Sequence, residues 1–359
     1  MKILYDHQMF SLQKYGGITR YFCDLIFNLP LGYKGDLPIL YSENHYLSEK
    51  DNVEIRKCPD ILPFRLKRLY YYHANTVLSD RVIKKNEFDL FHPTYFDPYF
   101  LKKNKKPFVL TVHDMNHEKF PDLFLAYDKT SKNKRILANH AAHIIAVSQN
   151  TKNDLVELFD INPDKVTVVY HGYEQRSEPT QALFDNYLLF VGERKGYKNF
   201  WNFIEAMIPL LNKYLDLKIV CTGNPFNREE LERLRHNRLI GRVFQKSVSD
   251  SELASLYKYA LAFVYPSIYE GFGIPILEAY QNNCPVCLSK ASCFPEIAQN
   301  AAAYFDPFSK ESITEAVSNI LEDRLFADHL RNAGKIRLKD FSIDLMVKKT
   351  CEVYNKCIS

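Results

Sequence analysis

The chain has 359 residues, which is too long for one ordinary hydrophobic core and predicts two domains. Its hydrophobic fraction of 46% and charged fraction of 25% are typical of a folded globular protein. A net charge of +4 is too small to indicate nucleic acid as a partner, and no segment approaches the 18 apolar residues that would predict a membrane span.

Alternating strands and helices are predicted along the amino-terminal half. The predicted strands are 2–5, 37–41, 90–92, 108–113, 143–148 and 166–170, and the predicted helices are about 18–28, 61–87 and 130–140. Strands that alternate with helices indicate a parallel sheet. The polar segment 174–186 follows, and we place a domain boundary at its start.

The same pattern begins again after the boundary. Strands are predicted at 187–191, 217–221, 242–245, 261–265 and 286–289, with a helix after each of the first four and a final helix at about 342–356. The sequence therefore predicts an α/β protein of two Rossmann-like domains. We assign residues 1–172 to the first and 173–341 to the second.

The cysteines do not form the spacing of a disulfide framework or a zinc site. All 8 are scattered, and several lie inside apolar runs where a reduced thiol packs as a small hydrophobe. Cys284 and Cys287 have a redox spacing, but no second pair or histidine cluster accompanies them. The amino-terminal residues also lack a secretory signal, so we expect a cytoplasmic, reducing environment and no bound metal.

The most informative segment is Tyr265-Pro-Ser-Ile-Tyr-Glu-Gly-Phe-Gly-Ile-Pro-Ile-Leu-Glu278. A predicted strand ends here, and two glycines let the backbone turn tightly before a helix that we expect to begin at Pro275. The amides of Gly271, Phe272, Gly273 and Ile274 are predicted to cluster at the start of this helix. Amides and the positive end of a helix dipole favour an anion such as a diphosphate. Glu270 and Glu278 flank the turn and suit sugar hydroxyls.

This segment resembles the E-x7-E signature of retaining glycosyltransferases of family 4, the group 1 transferases with the GT-B fold. The sequence around Arg194 and Lys198 resembles the Arg/Lys segment of the family. The run Tyr15-Gly-Gly-Ile-Thr-Arg-Tyr-Phe22 resembles the glycine-rich loop of its O-antigen mannosyltransferase-like members. The resemblance implies two facing Rossmann-like domains with a deep cleft between them. It also implies that a final helix, about 342–359, returns to the first domain. Asn283 stands where the family usually has glycine.

Arg194 and Lys198 lie in a glycine-flanked loop after a predicted strand. Two fixed cations there could stabilise a diphosphate leaving group as it gains charge, a role that the resemblance gives them in place of a metal. The chain has no Asp-x-Asp sequence, so the metal–diphosphate clamp of the other glycosyltransferase fold is not expected. An alternative is that these side chains form only a solvated basic loop.

The resemblance also assigns the remaining candidate residues. Glu270 would bind the hydroxyls of the donor sugar and Glu278 the ribose, although surface carboxylates or a glycosidase-like acid/base pair are alternatives. His113, with Asp114 beside it, ends a predicted strand and would contact the donor sugar. Gly16 and Gly17 would let backbone amides approach the diphosphate and the acceptor. His92 and His171 are interpreted as structural.

The sequence as a whole predicts a metal-independent retaining hexosyltransferase that uses a nucleotide-diphospho-sugar, with GDP-mannose favoured. The implied acceptor is a glycan or polyprenyl-linked glycan in bacterial surface polysaccharide synthesis. The alternatives are a GT-B epimerase or phosphorylase, and a non-catalytic glycan- or lipid-binding protein. Basic segments at 65–68, 102–106 and 129–135 are interpreted either as solvated surface or as contacts to an anionic inner-membrane face.

Overall fold

The computed structural model describes residues 1–48, 55–56, 64–174, 177–194 and 196–358. The chain divides into two compact units. Unit 1 comprises Met1–Gly172 and Ser342–Ser359, and unit 2 comprises Tyr173–Phe341. The first residues of the predicted helix 61–87, together with Cys58 and Lys195, lie outside the described residues.

Unit 1 is built on parallel strands. These are β1 (Lys2–Tyr5), β2 (Lys34–Asp36), β3 (Leu90–His92), β4 (Val109–Val112), β5 (His143–Ala146) and β6 (Val166–Val168). They pair in the orders β2-β1-β3 and β4-β5-β6, and a bridge between Phe91 and Phe108 joins β3 to β4. In this sheet β2 lies on one side of β1 and β3 lies on the other. The carboxyl ends of β1 and β3 are therefore a topological switch point, the usual ligand position in an open parallel sheet.

The prediction of a strand at 37–41 was wrong. The strand beside β1 is Lys34–Asp36 instead. Pro38 has no amide hydrogen for a sheet ladder, and the amides of Leu40 and Tyr41 both donate to the Asn75 side chain, at 2.8 and 3.1 Å. This segment is apolar because it packs under a helix, not because it extends the sheet.

Helices accompany the strands of unit 1. They are α1 (Gln8–Leu12), α2 (Gly17–Phe27), α3 (His45–Ser48), α4 (Phe64–Lys85), α5 (Asn116–Lys119), α6 (Thr130–His140), α7 (Gln149–Phe159) and, from the chain end, α16 (Ile343–Ile358). The last of these lies in the core of unit 1. Its buried Tyr354 hydroxyl lies 2.9 Å from the Tyr5 hydroxyl and 2.7 Å from Nδ1 of His92.

Unit 2 has a single parallel sheet in the order β12-β11-β10-β7-β8-β9. The strands are β7 (Tyr187–Phe190), β8 (Lys218–Cys221), β9 (Val243–Gln245), β10 (Ala262–Tyr265), β11 (Val286–Ser289) and β12 (Ala303–Phe305). The helices are α8 (Phe200–Ala206), α9 (Ile208–Lys213), α10 (Arg228–His236), α11 (Asp250–Tyr259), α12 (Ile274–Gln281), α13 (Phe294–Ala298), α14 (Lys310–Glu322) and α15 (Arg324–Leu338). The sequence predicted apolar strands at the positions of β7, β8, β9, β10 and β11. Each of these predictions is confirmed to within about one residue at both ends of the strand.

Two local expectations can be checked in unit 2. Asn283 has a φ of 58°, so it occupies the left-handed position after α12 that glycine usually fills. Cys284 and Cys287 are buried and free, and burial raises the pKa of Cys284 to about 12. A thiol in that state is a poor nucleophile, which agrees with the structural interpretation of the pair.

Candidate active site

The glycine turn of unit 2 lies directly after the central strand β10. Gly273 has a φ of +97° and precedes the first residue of α12, Ile274. A Cβ atom at Gly273 would lie 3.1 Å from the Ile276 side chain and 3.2 Å from the Phe294 ring, so both the conformation and the space favour glycine. Pro275 is the second residue of the helix, not the first as predicted. Its missing amide still costs nothing there, because the first turn of a helix has no internal acceptor.

The turn is held from behind by a segment that sequence reasoning missed. Ser292 Oγ donates to the Glu270 carbonyl oxygen at 2.6 Å and lies 3.2 Å from the Glu270 amide nitrogen. Cys293 Sγ lies 3.1 Å from the Phe272 carbonyl oxygen. Ser292 itself has a φ of 54°, an uncommon conformation outside glycine. These contacts fix the backbone on both sides of Gly271, and no motif in the sequence identified Ser292 or Cys293 as the residues that make them.

The structure brings two predicted residues, Lys198 and Glu270, into direct contact. Lys198 Nζ donates to Glu270 Oε1 at 2.6 Å, and it lies 3.5 Å from the Tyr265 hydroxyl. The two charged side chains are only 15% and 11% exposed. Water screens such a pair weakly, so the ammonium group is strongly positioned at the carboxyl end of β10. A cation and a carboxylate that are fixed together beside a helix start can bind a diphosphate and a sugar hydroxyl at neighbouring points.

Glu278 lies on α12, about one turn after the first residue of the helix, Ile274. Its Oε2 accepts a hydrogen bond from the Tyr257 hydroxyl at 2.9 Å. Burial, followed by the charge of Glu278, raises the pKa of Tyr257 well above its usual value, so the phenol keeps its proton and orients the carboxylate. The side chain of Glu278 is half-buried. Its assignment to the ribose stays a prediction.

Arg194 has contacts that the sequence did not suggest. Its Nε donates to Glu230 Oε1 at 2.6 Å, and one terminal nitrogen donates to the carbonyl oxygen of Asn224 at 2.8 Å. The guanidinium lies 4.7 Å from the centre of the Phe226 ring, and the side chain is 5% exposed. Arg194 therefore anchors the loop after β7 to the loop after β8. A role in diphosphate binding stays a prediction, and these contacts indicate a structural role beside it.

The partner of Arg194 also caps a helix. Glu230 Oε2 accepts from the amide of Asn227 at 2.9 Å, while the Asn227 side chain accepts from the amide of Glu230 at 2.9 Å. This reciprocal capping box begins α10. One carboxylate thus joins the start of α10 to the loop that carries Arg194 and, four residues later, Lys198.

In unit 1 the predicted glycine loop precedes α2. Gly17 is the first residue of this helix, and a Cβ atom there would meet nothing within 4 Å. Gly16 has an extended φ of 169°, and a Cβ atom on it would meet only the flexible Gln13 side chain. Tyr15 is 59% exposed and its ring centre lies 5.0 Å from that of His45. The loop therefore has no bulky side chains at the start of α2. This is compatible with amides that approach a ligand, and that role stays a prediction.

His113 and Asp114 follow β4, as predicted. The His113 ring stacks on that of His171, with centres 5.5 Å apart and planes at 14°. Its Nε2 atom is buried and has no hydrogen-bond partner among the described residues. Asp114 Oδ1 accepts from the amide of Asn116 at 2.9 Å. Burial lowers the pKa of His113 to about 3, so the imidazole is neutral and can accept or donate one hydrogen bond.

A buried lysine that sequence reasoning placed on the surface supports this loop. Lys134 belongs to the basic segment 129–135, but its side chain is 1% exposed. Its Nζ donates to the Asp114 carbonyl oxygen at 2.9 Å and to Glu118 Oε2 at 2.8 Å. The positive charge therefore holds the loop after β4 and cannot contribute to a surface for anionic headgroups.

Histidines with buried rings make the stability of unit 1 depend on pH. Burial lowers the pKa of His7 to about 4 and that of His92 to about 3, and it lowers that of His171 too. The unfolded chain takes up these protons near pH 6.5 and the folded chain does not. Above this pH the histidines are therefore expected to leave the free energy of unfolding unchanged. Below it, the free energy of unfolding should decrease by up to about 1.4 kcal/mol per pH unit for each histidine. The raised pKa of buried Asp6 acts in the opposite direction.

Urea unfolding at pH 7.5 and pH 5.5 measures this effect. The His92→Gln variant removes one such group and keeps a side chain that can bond to Tyr354 and Thr111. It should show a smaller difference between the two pH values than the unchanged protein. Equal unfolding free energies at both pH values in the unchanged protein would contradict the expectation.

Comparisons with known proteins agree with this arrangement. The family profile described as "Glycosyl transferases group 1" matches residues 173–337, and that of "Glycosyltransferase Family 4" matches residues 15–175. The O-antigen chain mannosyltransferase RfbU of Salmonella typhimurium is 30% identical over 257 residues, which cover 71% of this chain and 72% of that protein. The chain belongs to the group 1 glycosyltransferases. The O-antigen chain mannosyltransferase B of Escherichia coli is 26% identical over 282 residues, which are 73% of this chain and 72% of that protein.

Solved structures of other glycosyltransferases share the GT-B fold of this group 1 glycosyltransferase. The sucrose-phosphate synthase of Thermosynechococcus elongatus aligns with a TM-score of 0.75 at 16% identity, over 99% of this chain and 98% of that one. Anabaena HepE, solved in complex with UDP and glucose, also has a TM-score of 0.75, at 15% identity over 99% of both chains. At these identities the likeness concerns the fold alone.

Proposed function

We propose that this group 1 glycosyltransferase transfers a hexose, with retention of the anomeric configuration, from a nucleotide-diphospho-sugar. The observation that carries the proposal is the contact between Lys198 and Glu270 beside the Gly273 turn in unit 2. The ammonium group and the first amides of α12 supply positive charge for a diphosphate. Glu270 and Glu278 supply acceptors for the hydroxyls of the donor. In unit 1, Gly16, Gly17, His113 and Asp114 serve the sugar and the acceptor.

The proposed reaction needs no metal. The leaving diphosphate gains negative charge as the glycosidic bond breaks, and a fixed cation stabilises that charge more in the transition state than in the ground state. Lys198 is such a cation because burial and its contact with Glu270 hold it in place. The leaving phosphate can take the proton of the acceptor hydroxyl on the same face of the sugar, so a protein base is not required.

The proposed acceptor is a glycan or polyprenyl-linked glycan of a bacterial surface polysaccharide. The relatives named O-antigen chain mannosyltransferases support this class and favour mannose as the transferred sugar. The proposed donor is therefore GDP-mannose. Anabaena HepE was solved with UDP, so a uridine donor is the competing outcome. The identity of the base and of the sugar is therefore the first result that an experiment must supply.

A thermal-shift screen against UDP-, GDP- and ADP-sugars tests the donor class. We expect one series to raise the melting temperature, because a ligand that binds only the folded state stabilises it. Transfer to a glycan acceptor should then proceed equally well with and without EDTA. Consumption of the donor sugar without any acceptor would indicate an epimerase instead, and the absence of any stabilisation would contradict the proposal.

We also propose that α4 docks on an anionic membrane surface. Among the described residues no helix combines the length and apolar composition needed to cross a membrane. One face of α4, however, exposes Leu66, Leu69, Tyr70 and Val77 at helical spacing. The exposed Arg81 and Lys84 lie on the same side of α4 and complement anionic headgroups.

Sedimentation with lipid vesicles tests the membrane proposal. We expect binding to vesicles that contain phosphatidylglycerol and little binding to pure phosphatidylcholine. A Leu66→Ser and Leu69→Ser variant should lose most of this binding, whereas Leu215→Ser, at an exposed leucine of unit 2, should not. Equal recovery of the double variant and the unchanged protein would contradict docking through α4.

A further inference from the structure

A polar cluster in unit 1 lies at the switch point between β1 and β3, and the proposed chemistry does not use it. Asp6 and His7 follow β1, and the segment from Thr94 to Tyr99 follows β3. The Asp6 carboxylate is fully buried and accepts from the Thr94 amide and from the Gln8 side chain, each at 2.8 Å. Side chains of this kind add little to a hydrophobic core. Their concentration at a topological switch point indicates a binding site.

The inner part of the cluster positions an outer part that solvent can reach. Gln8 bonds to both the amide nitrogen and the carbonyl oxygen of Asp97, at 2.8 and 3.2 Å. The Tyr72 hydroxyl of α4 donates to Asp97 Oδ2 at 2.6 Å, and the Tyr99 hydroxyl donates to Asp6 Oδ2 at 3.2 Å. Asp97, Tyr72 and Tyr99 are each half-buried, whereas Asp6 and Gln8 are fully buried. A rigid base therefore holds a carboxylate and two tyrosines, each of which is partly exposed.

Two further observations on the same side of α4 support a site for a ligand. The His7 ring lies between Tyr72 and Tyr99, with centres 5.0 and 5.9 Å away, and bonds to Ser11 and Thr76. Ser79 lies one turn beyond Thr76, is 1% exposed, and interacts with the hydroxyl of Tyr99. Buried polar groups that are paired in this way extend the base that holds Tyr99 in place.

The chemistry of the cluster selects a neutral, hydroxyl-rich ligand. Carboxylate oxygens accept hydrogen bonds from sugar hydroxyls and repel phosphate groups. Tyrosine rings offer flat apolar faces to the C–H side of a pyranose and hydroxyls to its edge. Burial lowers the pKa of His7 to about 4, so His7 adds no positive charge that would attract a phosphate.

We propose that Asp97, Tyr72 and Tyr99 form the subsite for the accepting sugar, and that this sugar is a neutral hexose or deoxyhexose. The proposal rests on the transferase function proposed above and names the part of the acceptor that unit 1 binds. Asp97 accepts hydrogen bonds from the sugar hydroxyls, and the two phenols orient it. Asp6 and Gln8 are positioning residues that act through Asp97 and Tyr99.

Saturation-transfer NMR with the methyl α-D-glycosides of mannose, glucose, galactose and rhamnose tests this subsite. We expect at least one glycoside to bind the unchanged protein, and Asp97→Asn to bind it about tenfold more weakly, since a hydrogen bond to a charged group is lost. Tyr72→Phe keeps the ring and should weaken binding by a smaller factor. Asp122→Asn, at an exposed carboxylate of the same unit, should bind as the unchanged protein does.

The result is separable from that of the donor proposal. Stabilisation by GDP or UDP should be unchanged in Asp97→Asn, which also shows that the variant is folded. Normal glycoside binding by both Asp97→Asn and Tyr72→Phe would overturn the subsite, as would the absence of binding for every glycoside. Failure of every nucleotide to stabilise the protein would instead overturn the transferase proposal.

Discussion

The Lys198→Met variant is expected to turn over donor about 10²- to 10³-fold more slowly than the unchanged protein, the usual loss when one fixed transition-state contact is removed. The ammonium group lies 2.6 Å from Glu270 and is largely buried, so neither water nor a neighbouring flexible side chain can replace it. Methionine keeps most of the apolar contact with the Tyr265 ring. Initial rates at saturating donor and acceptor measure the effect.

The control for this variant must separate catalysis from folding. Removing Lys198 leaves the Glu270 carboxylate without its cation, which destabilises a part-buried site. Urea unfolding should show a loss for Lys198→Met that the double variant Lys198→Met/Glu270→Gln largely recovers, although its activity stays low. Lys213→Met, at a lysine that is 56% exposed, should behave as the unchanged protein does. A kcat of Lys198→Met within threefold of normal would remove Lys198 from the catalytic residues.

The second large effect is expected for stability. Arg194→Met should lower the free energy of unfolding by about 3 kcal/mol, because it leaves the Glu230 carboxylate and three carbonyl groups without this buried donor. The pair is well shielded, with side chains 5% and 13% exposed. Because Glu230 also caps α10, the amides at the start of that helix should exchange faster in the variant. Chemical unfolding measures the first effect and amide hydrogen exchange in α10 the second.

A double variant then separates the two roles of Arg194. Arg194→Met/Glu230→Met replaces the ion pair with apolar side chains and should regain much of the stability. If Arg194 is mainly an anchor, as its contacts indicate, this folded variant should keep its kcat within about tenfold of normal. A loss greater than 10²-fold in a stable double variant would show instead that the guanidinium stabilises the diphosphate. Arg233→Met, on the exposed side of α10, is a matched control.

The sequence predicted the strands of both sheets well wherever apolar runs were continuous. Strands of a parallel sheet are buried on both faces, so a short continuous apolar run predicts such a strand. It failed at 37–41, where the apolar residues pack beneath Asn75 of α4 and the sheet instead uses Lys34–Asp36. That choice depends on a contact between residues 35 positions apart along the chain, which local patterns do not contain.

The residues of the candidate site also divide into those that the sequence predicted and those that it did not. The Gly273 turn follows from a motif with strict local geometry, so it could be found in the sequence. Lys198 and Glu270 were each singled out by the resemblance, but their direct contact joins residues 72 positions apart and was not predicted. The partner of Arg194 could not be predicted either, because Glu230 lies 36 positions away and is recognisable only as the cap of α10. Ser292, which holds the Glu270 backbone, and Lys134, which holds that of Asp114, were missed for this reason too.

The return of α16 to unit 1 has a consequence for how the protein is made. Residues Met1–Gly172 leave the ribosome long before Ile343–Ile358 do, yet the Tyr354 hydroxyl that contacts Tyr5 and His92 belongs to the later segment. The nascent first unit must therefore keep the apolar surface that packs against α16 uncovered until α16 has been synthesised. Unit 2 is contiguous in the chain and can fold during synthesis. A chaperone that shields exposed apolar surface should act on the early chain and be released once α16 has packed against unit 1.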